Sequence, residues 1–173
     1  MYGDEKRTQI ISQTALFIAL IAIGSYIIIP MVPVPITLQT LFVLLCGCIM
    51  KRYAVIPATL YVFLGTLGLP VFHQFTSGPG VLLGPTGGYL IGFIFAATIT
   101  GIFYENKKRL FRITGLVLGT FSITLCGVLW ISFSTGMSIS DAILIGALPF
   151  IIGDIVKIAL VYIIAERIEE KND

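Results

Sequence analysis

The chain has 173 residues, 57% of them hydrophobic and 12% charged, with a formal net charge of +2. A mean hydropathy of +1.00 and uncharged runs from Thr8 to Met50, Tyr53 to Tyr104 and Ile113 to Ser140 exclude an ordinary soluble domain and indicate a polytopic membrane protein. At about 20 apolar residues per crossing, with shorter ones tolerated, this length accommodates about six helices, so residues 1–173 are read as one all-α transmembrane domain.

The first predicted helix covers residues 8–29. It is longer than a signal-peptide core and lacks an Ala-x-Ala-like cleavage site before the next span, so it is read as retained. Further helices are predicted over 37–50, 53–69, 87–104, 111–133 and 149–166, broken where Pro, Gly or charge interrupts the apolar pattern. The second and third, at about 14 and 17 residues, barely cross a ~30 Å hydrocarbon core, which implies shielded ends around a central cavity. The stretch Met137 to Leu148 reads as a short interfacial helix before Pro149 opens the last span. A single helix from Asp141 is the alternative, and it would set Asp154 deeper.

Orientation follows from the basic residues. Lys6 and Arg7 precede the first helix, Lys51 and Arg52 join the second to the third, Lys107, Lys108, Arg109 and Arg112 join the fourth to the fifth, and Arg167 and Lys171 follow the sixth. All fall on one side, which the positive-inside rule makes cytoplasmic. A multi-pass protein of the cell membrane with both termini cytoplasmic is expected, and the net charge says nothing about nucleic acid.

The outward connections are rich in Pro, Gly, Thr and aromatic residues, and two of them read as structured. Pro30 to Gln39 holds three prolines that fix the backbone, and it offers Thr37 and Gln39 as hydrogen-bonding side chains. Leu69 to Tyr89 is long enough to be a lid or binding loop. Gly84, Gly87 and Gly88 allow a tight turn, and the amides opening the following helix suit an anionic or polar group. The segment lacks the Gly-Lys-Ser/Thr ending of a nucleotide loop. Glycines at 84, 88 and 92, and at 115 and 119, fit close helix packing in lipid equally well.

His73 stands alone, without a second ligand at metal spacing. Cys46, Cys48 and Cys126 read as small buried side chains. No nucleophile elbow, His-Glu-x-x-His helix or placed carboxylate pair is present, so no enzyme, cofactor or metal is expected.

Asp154 and Lys157 are the only acid and base predicted to lie inside the membrane, away from the ends of the predicted helices. An ionised side chain at bilayer depth costs at least roughly 2.5–3.5 kcal/mol, so it is retained when paired, facing a cavity or binding a ligand. The i, i+3 spacing puts both on one helix face. A helix opened by Pro149 sets Asp154 only about 7 Å below the outer end. A mutually neutralising structural pair and a ligand-binding pair both fit, and neither excludes the other.

Four segments, Pro33-Val-Pro-Ile-Thr-Leu-Gln-Thr40, Leu67-Gly-Leu-Pro-Val-Phe72, Leu83-Gly-Pro-Thr-Gly-Gly-Tyr-Leu-Ile-Gly-Phe93 and Pro149-Phe-Ile-Ile-Gly-Asp-Ile-Val-Lys157, together resemble the BioY family. Its members are the biotin-binding subunits of energy-coupling-factor (ECF) transporters. The resemblance runs in order from the first helix to the last.

It implies a six-helix subunit for high-affinity biotin binding and uptake, with the first and third loops closing over the ligand. Asp154, Lys157, Thr86, Gly87, Gly88, Tyr89, Gln39 and Phe72 are the expected substrate contacts, and His73 is a possible lid contact. Asp154 is expected to accept from the ureido N–H groups of biotin, while Lys157 donates to a biotin oxygen. The partners implied are a transmembrane coupling subunit and a pair of cytoplasmic ATPases, so ATP acts only through them. Ala15, Ala19 and Ala22 on the first helix resemble the family's docking stripe, although packing within the chain fits the spacing as well. The competing reading is a standalone proton-coupled carrier for another vitamin-like solute, with Asp154 as its proton site.

Overall fold

The computed structural model describes residues 2–172. It is almost wholly helical, and each predicted helix has a counterpart. The chain runs α1 (Tyr2–Tyr26), β1 (Ile28–Ile29), β2 (Ile36–Thr37), α2 (Gln39–Met50), α3 (Val55–Thr66), α4 (Pro79–Leu83), α5 (Gly87–Tyr104), α6 (Arg109–Thr135), α7 (Ile139–Gly146) and α8 (Ile151–Asn172).

The differences lie at the ends. α1 starts earlier than predicted, with Asp4 and Glu5 in its first turn, where acidic side chains suit the positive end of the helix dipole. It stops at Tyr26 because Ile28 and Ile29 leave the helix to pair antiparallel with Thr37 and Ile36. β-branched residues and a following proline both favour extended backbone there. This two-rung ribbon gives the loop between α1 and α2 its frame.

α2 and α3 are even shorter than predicted. The chain reverses at a 3₁₀ turn over Lys51–Ala54, which returns Tyr61 of α3 to the level of Gln39 at the start of α2. α6 ends at Gly136, whose φ of 73° is the left-handed conformation that glycine supplies most readily. The predicted short helix before the last span is present as α7, capped by Ser138 Oγ accepting from the Asp141 amide. Pro149 lies in a 3₁₀ turn, Leu148–Phe150, so it does not open α8. Asp154 is the fourth residue of α8, only about 4.5 Å along it.

α5 and α6 pack against each other through the glycines. A Cβ on Gly92 would lie 2.8 Å from the Ile123 Cα, and one on Gly115 would lie 2.4 Å from the Phe103 Cβ. The close-packing reading therefore holds for this pair of helices. Five stretches are long and apolar enough to cross a membrane, one of them being Gln39–Thr66 with its internal turn. Large apolar side chains such as Phe95, Phe121 and Ile152 face outward, as lipid contact requires.

Candidate functional site

The acid and base of α8 face a cavity. Lys157 Nζ lies 3.6 Å from Asp154 Oδ1, with the side chains 7% and 15% exposed respectively. The ammonium also donates to Thr40 Oγ1 on α2 at 2.7 Å. Among the described residues Lys157 is the sole partner recorded for the Asp154 carboxylate, so that group keeps acceptor capacity for a ligand.

Gln39 is held from both ends of its amide. Its Nε2 donates to Tyr61 Oη, which donates in turn to the Val71 carbonyl at 2.7 Å, while Thr37 Oγ1 donates to Gln39 Oε1 at 3.1 Å. A fixed amide presents donor and acceptor in one orientation, which lowers the entropic cost of engaging a ligand.

Together with the open space at its mouth, the cavity measures about 540 Å³. Six predicted contacts line it: Asp154, Lys157, Gln39, Thr86, Tyr89 and His73. Thr40, Thr37, Thr124, Phe93, Ile123 and Phe150 also line it. Thr124 carried a usable signal, a hydroxyl inside a predicted span. Thr40 carried little, since its role depends on α8 lying opposite.

Three predicted contacts lie outside the lining. Phe72 is fully buried behind the site, edge-on to the Tyr61 ring at 5.7 Å between centroids. Its ring fills the space over Gly65, where a Cβ would come within 2.2 Å. It supports the Gln39–Tyr61 link and forms no part of the wall. Gly87 packs under the Leu82 carbonyl and Gly88 against Trp130, each leaving no room for a Cβ. Both glycines at the start of α5 are thus packing contacts, as the close-packing reading expects.

Tyr89 contributes its ring and not its hydroxyl, which donates to the Gly146 carbonyl at 2.5 Å and anchors α7. The ring sits 5.9 Å from that of Phe150, and together they supply an aromatic surface. His73 begins a 3₁₀ turn, His73–Phe75, in the long loop, and partial burial lowers its pKa. The turn is strapped to the end of α1, since Phe75 stacks on Tyr26 at 4.2 Å and Tyr26 Oη donates to the Pro70 carbonyl at 2.6 Å. On the outer surface of α1, Ala15 and Ala19 are exposed, whereas Ala22 is half-buried against the core.

The sequence model described as the BioY family matches residues 3–172. The chain belongs to the BioY family. It is 40% identical over 160 residues to the "Probable biotin transporter BioY" of Pyrococcus horikoshii, covering 92% of this chain and 95% of that protein. It is 39% identical over 160 residues to the biotin transporter BioY of Thermotoga maritima, covering 91% and 94%. Its fold matches the crystal structure of an S-component for biotin from an ECF-type ABC transporter. That match has a TM-score of 0.86 and 26% identity, and it covers 96% of this chain and 93% of the other. In this BioY chain the ionised pair, the fixed amide, the hydroxyls and the aromatic surface converge on one space, a mixture suited to a ligand that is part apolar and part hydrogen-bonding.

Proposed function

We propose that this chain binds biotin and takes it up as the substrate-specific subunit of an ECF-type ABC transporter. The observation that carries this reading is the Asp154–Lys157 pair, backed by Thr40 and facing a cavity with an aromatic wall. Biotin offers a ureido ring with two N–H donors and a carbonyl, an apolar thiophane and a carboxylate tail. Asp154 accepts from the ureido N–H groups and Lys157 donates to a biotin oxygen. Gln39 and Thr86 add polar contacts, Tyr89 and Phe150 cover the thiophane, and His73 sits at the mouth.

Six helices cross the membrane with both termini cytoplasmic, an arrangement supported by the one-sided distribution of basic residues. The energising partners are a transmembrane coupling subunit and a pair of ATPases, which bring the ATP chemistry. The chain itself is a transport component, with no reaction of its own. Ala15 and Ala19 form the docking contact on α1, with Ala22 contributing its edge. Small exposed side chains let a second helix approach closely in lipid.

Equilibrium binding of labelled biotin to the purified chain tests this. Saturable one-to-one binding competed by biotin, and not by riboflavin or thiamine, is the expected result. Absence of binding by folded protein would remove biotin as the ligand and favour a standalone carrier of another solute.

A further inference from the structure

The side chains that α8 turns toward the bundle form one stripe. Asp154 and Lys157 lie near its start, Ile158, Val161, Tyr162 and Ala165 in the middle, and Glu166 and Glu169 near its far end. The apolar part is short, and most of the helix faces outward. In lipid there is no hydrophobic gain in pressing such a helix onto its neighbours, because the tails are as apolar as the side chains. Polar contacts therefore join the packing of Val161 and Ala165 in fixing its rotation and height.

At the end opposite the cavity those contacts form a knot. Arg112 of α6, its side chain only 6% exposed, pairs with Glu166 and, at 2.5 Å, with Glu169. Its Nε donates to the Asn106 carbonyl at 3.1 Å, and the guanidinium lies 5.1 Å from the centroid of the Tyr104 ring. Lys51, in the turn after α2, reaches Glu169 at 3.1 Å. α2 and α8 are thus fastened twice, by Lys157 to Thr40 at the cavity and by Lys51 to Glu169 about 18 Å further along the helix. Turning α8 by one residue, about 100°, would swing Asp154 out of the cavity.

We infer that Arg112, with Lys51, Glu166 and Glu169, is a positioning group for substrate binding: the distant ionic knot sets the rotation and height of α8 and so aims Asp154 and Lys157 into the cavity. Arg112 touches no ligand. Its role rests on the reading of that cavity as the biotin site.

The test compares biotin dissociation constants of the wild type, Arg112→Gln, Arg112→Lys, Lys51→Met and Glu169→Gln, with amide hydrogen exchange followed in α8 and α5. Arg112→Gln is expected to weaken binding about tenfold, and Lys51→Met and Glu169→Gln about threefold, within the range of couplings carried through packed elements. Arg112→Lys, which keeps one ion pair, is expected to recover part of the loss. Exchange should quicken over residues 151–160 while α5 stays at its wild-type rate. Should Arg112→Gln fail to fold, Lys51→Met and Glu169→Gln decide, since both positions are partly exposed. Wild-type affinity in these folded variants would overturn the inference, as would weaker binding with unchanged exchange in α8. A wild type that binds no biotin would instead overturn the assignment of the ligand.

Discussion

Lys157 of α8 lies closer to the hydroxyl of Thr40 on α2, at 2.7 Å, than to the carboxylate of Asp154 on its own helix, at 3.6 Å. The lysine thus bridges two helices, and its charge is balanced by a neighbour that remains able to accept further bonds. Thr40→Val removes the hydroxyl while keeping the shape. It should weaken biotin binding about three- to tenfold, as expected for losing one hydrogen bond to a charged group between membrane helices. A titration of the folded variant checks this.

Gly65 makes room for Phe72, whose ring backs Tyr61 and, through it, the Gln39 amide. Gly65→Ala places a methyl 2.2 Å from that ring. The ring must shift, and overpacking of this kind costs about 1–3 kcal/mol. A lower thermal midpoint together with weaker biotin binding is the expected outcome, read by thermal unfolding with and without ligand.

Much of this was legible in the sequence. Charge is so unfavourable in hydrocarbon that Asp154 and Lys157 mark the candidate site without any structure, and the apolar runs mark the six helices α1, α2, α3, α5, α6 and α8. The β1–β2 ribbon escaped because two rungs leave almost no periodic pattern, and Ile28 and Ile29 continue an apolar run that reads as helix. Phe72 was misplaced because an aromatic residue in a loop reads equally well as cavity wall or as backing, and Gly65, which decides the matter, is remote in sequence. Gly87 and Gly88 carry two readings, and the proximity of Leu82 and Trp130 supplies the packing one. Thr40 gains its meaning only when α8 lies opposite.

Burial holds the His73 pKa below its ordinary value. A histidine whose folded pKa is depressed contributes stability above its unfolded pKa, and that contribution is lost as pH falls through the folded value. The thermal midpoint of the wild type should therefore decline as pH drops below about 6.5, the ordinary histidine value. The decline should be shallower in His73→Gln, as thermal scans across pH 5 to 8 would reveal.

Ala15 lies exposed on α1, away from the cavity lining. Ala15→Trp should abolish biotin uptake in cells that supply the coupling subunit and ATPases, while the purified variant binds biotin with wild-type affinity. Loss of both would indicate internal packing at this position and remove it from the docking face.

The most direct test of the central claim is the biotin dissociation constant of Asp154→Asn beside that of the wild type, with folding verified for both. The substitution removes the proposed acceptor for the ureido N–H groups and leaves Lys157 without its counter-charge. Affinity should therefore fall at least about thirtyfold, as when one partner of a buried charge pair is lost. A folded Asp154→Asn protein that binds biotin as tightly as the wild type would contradict the account.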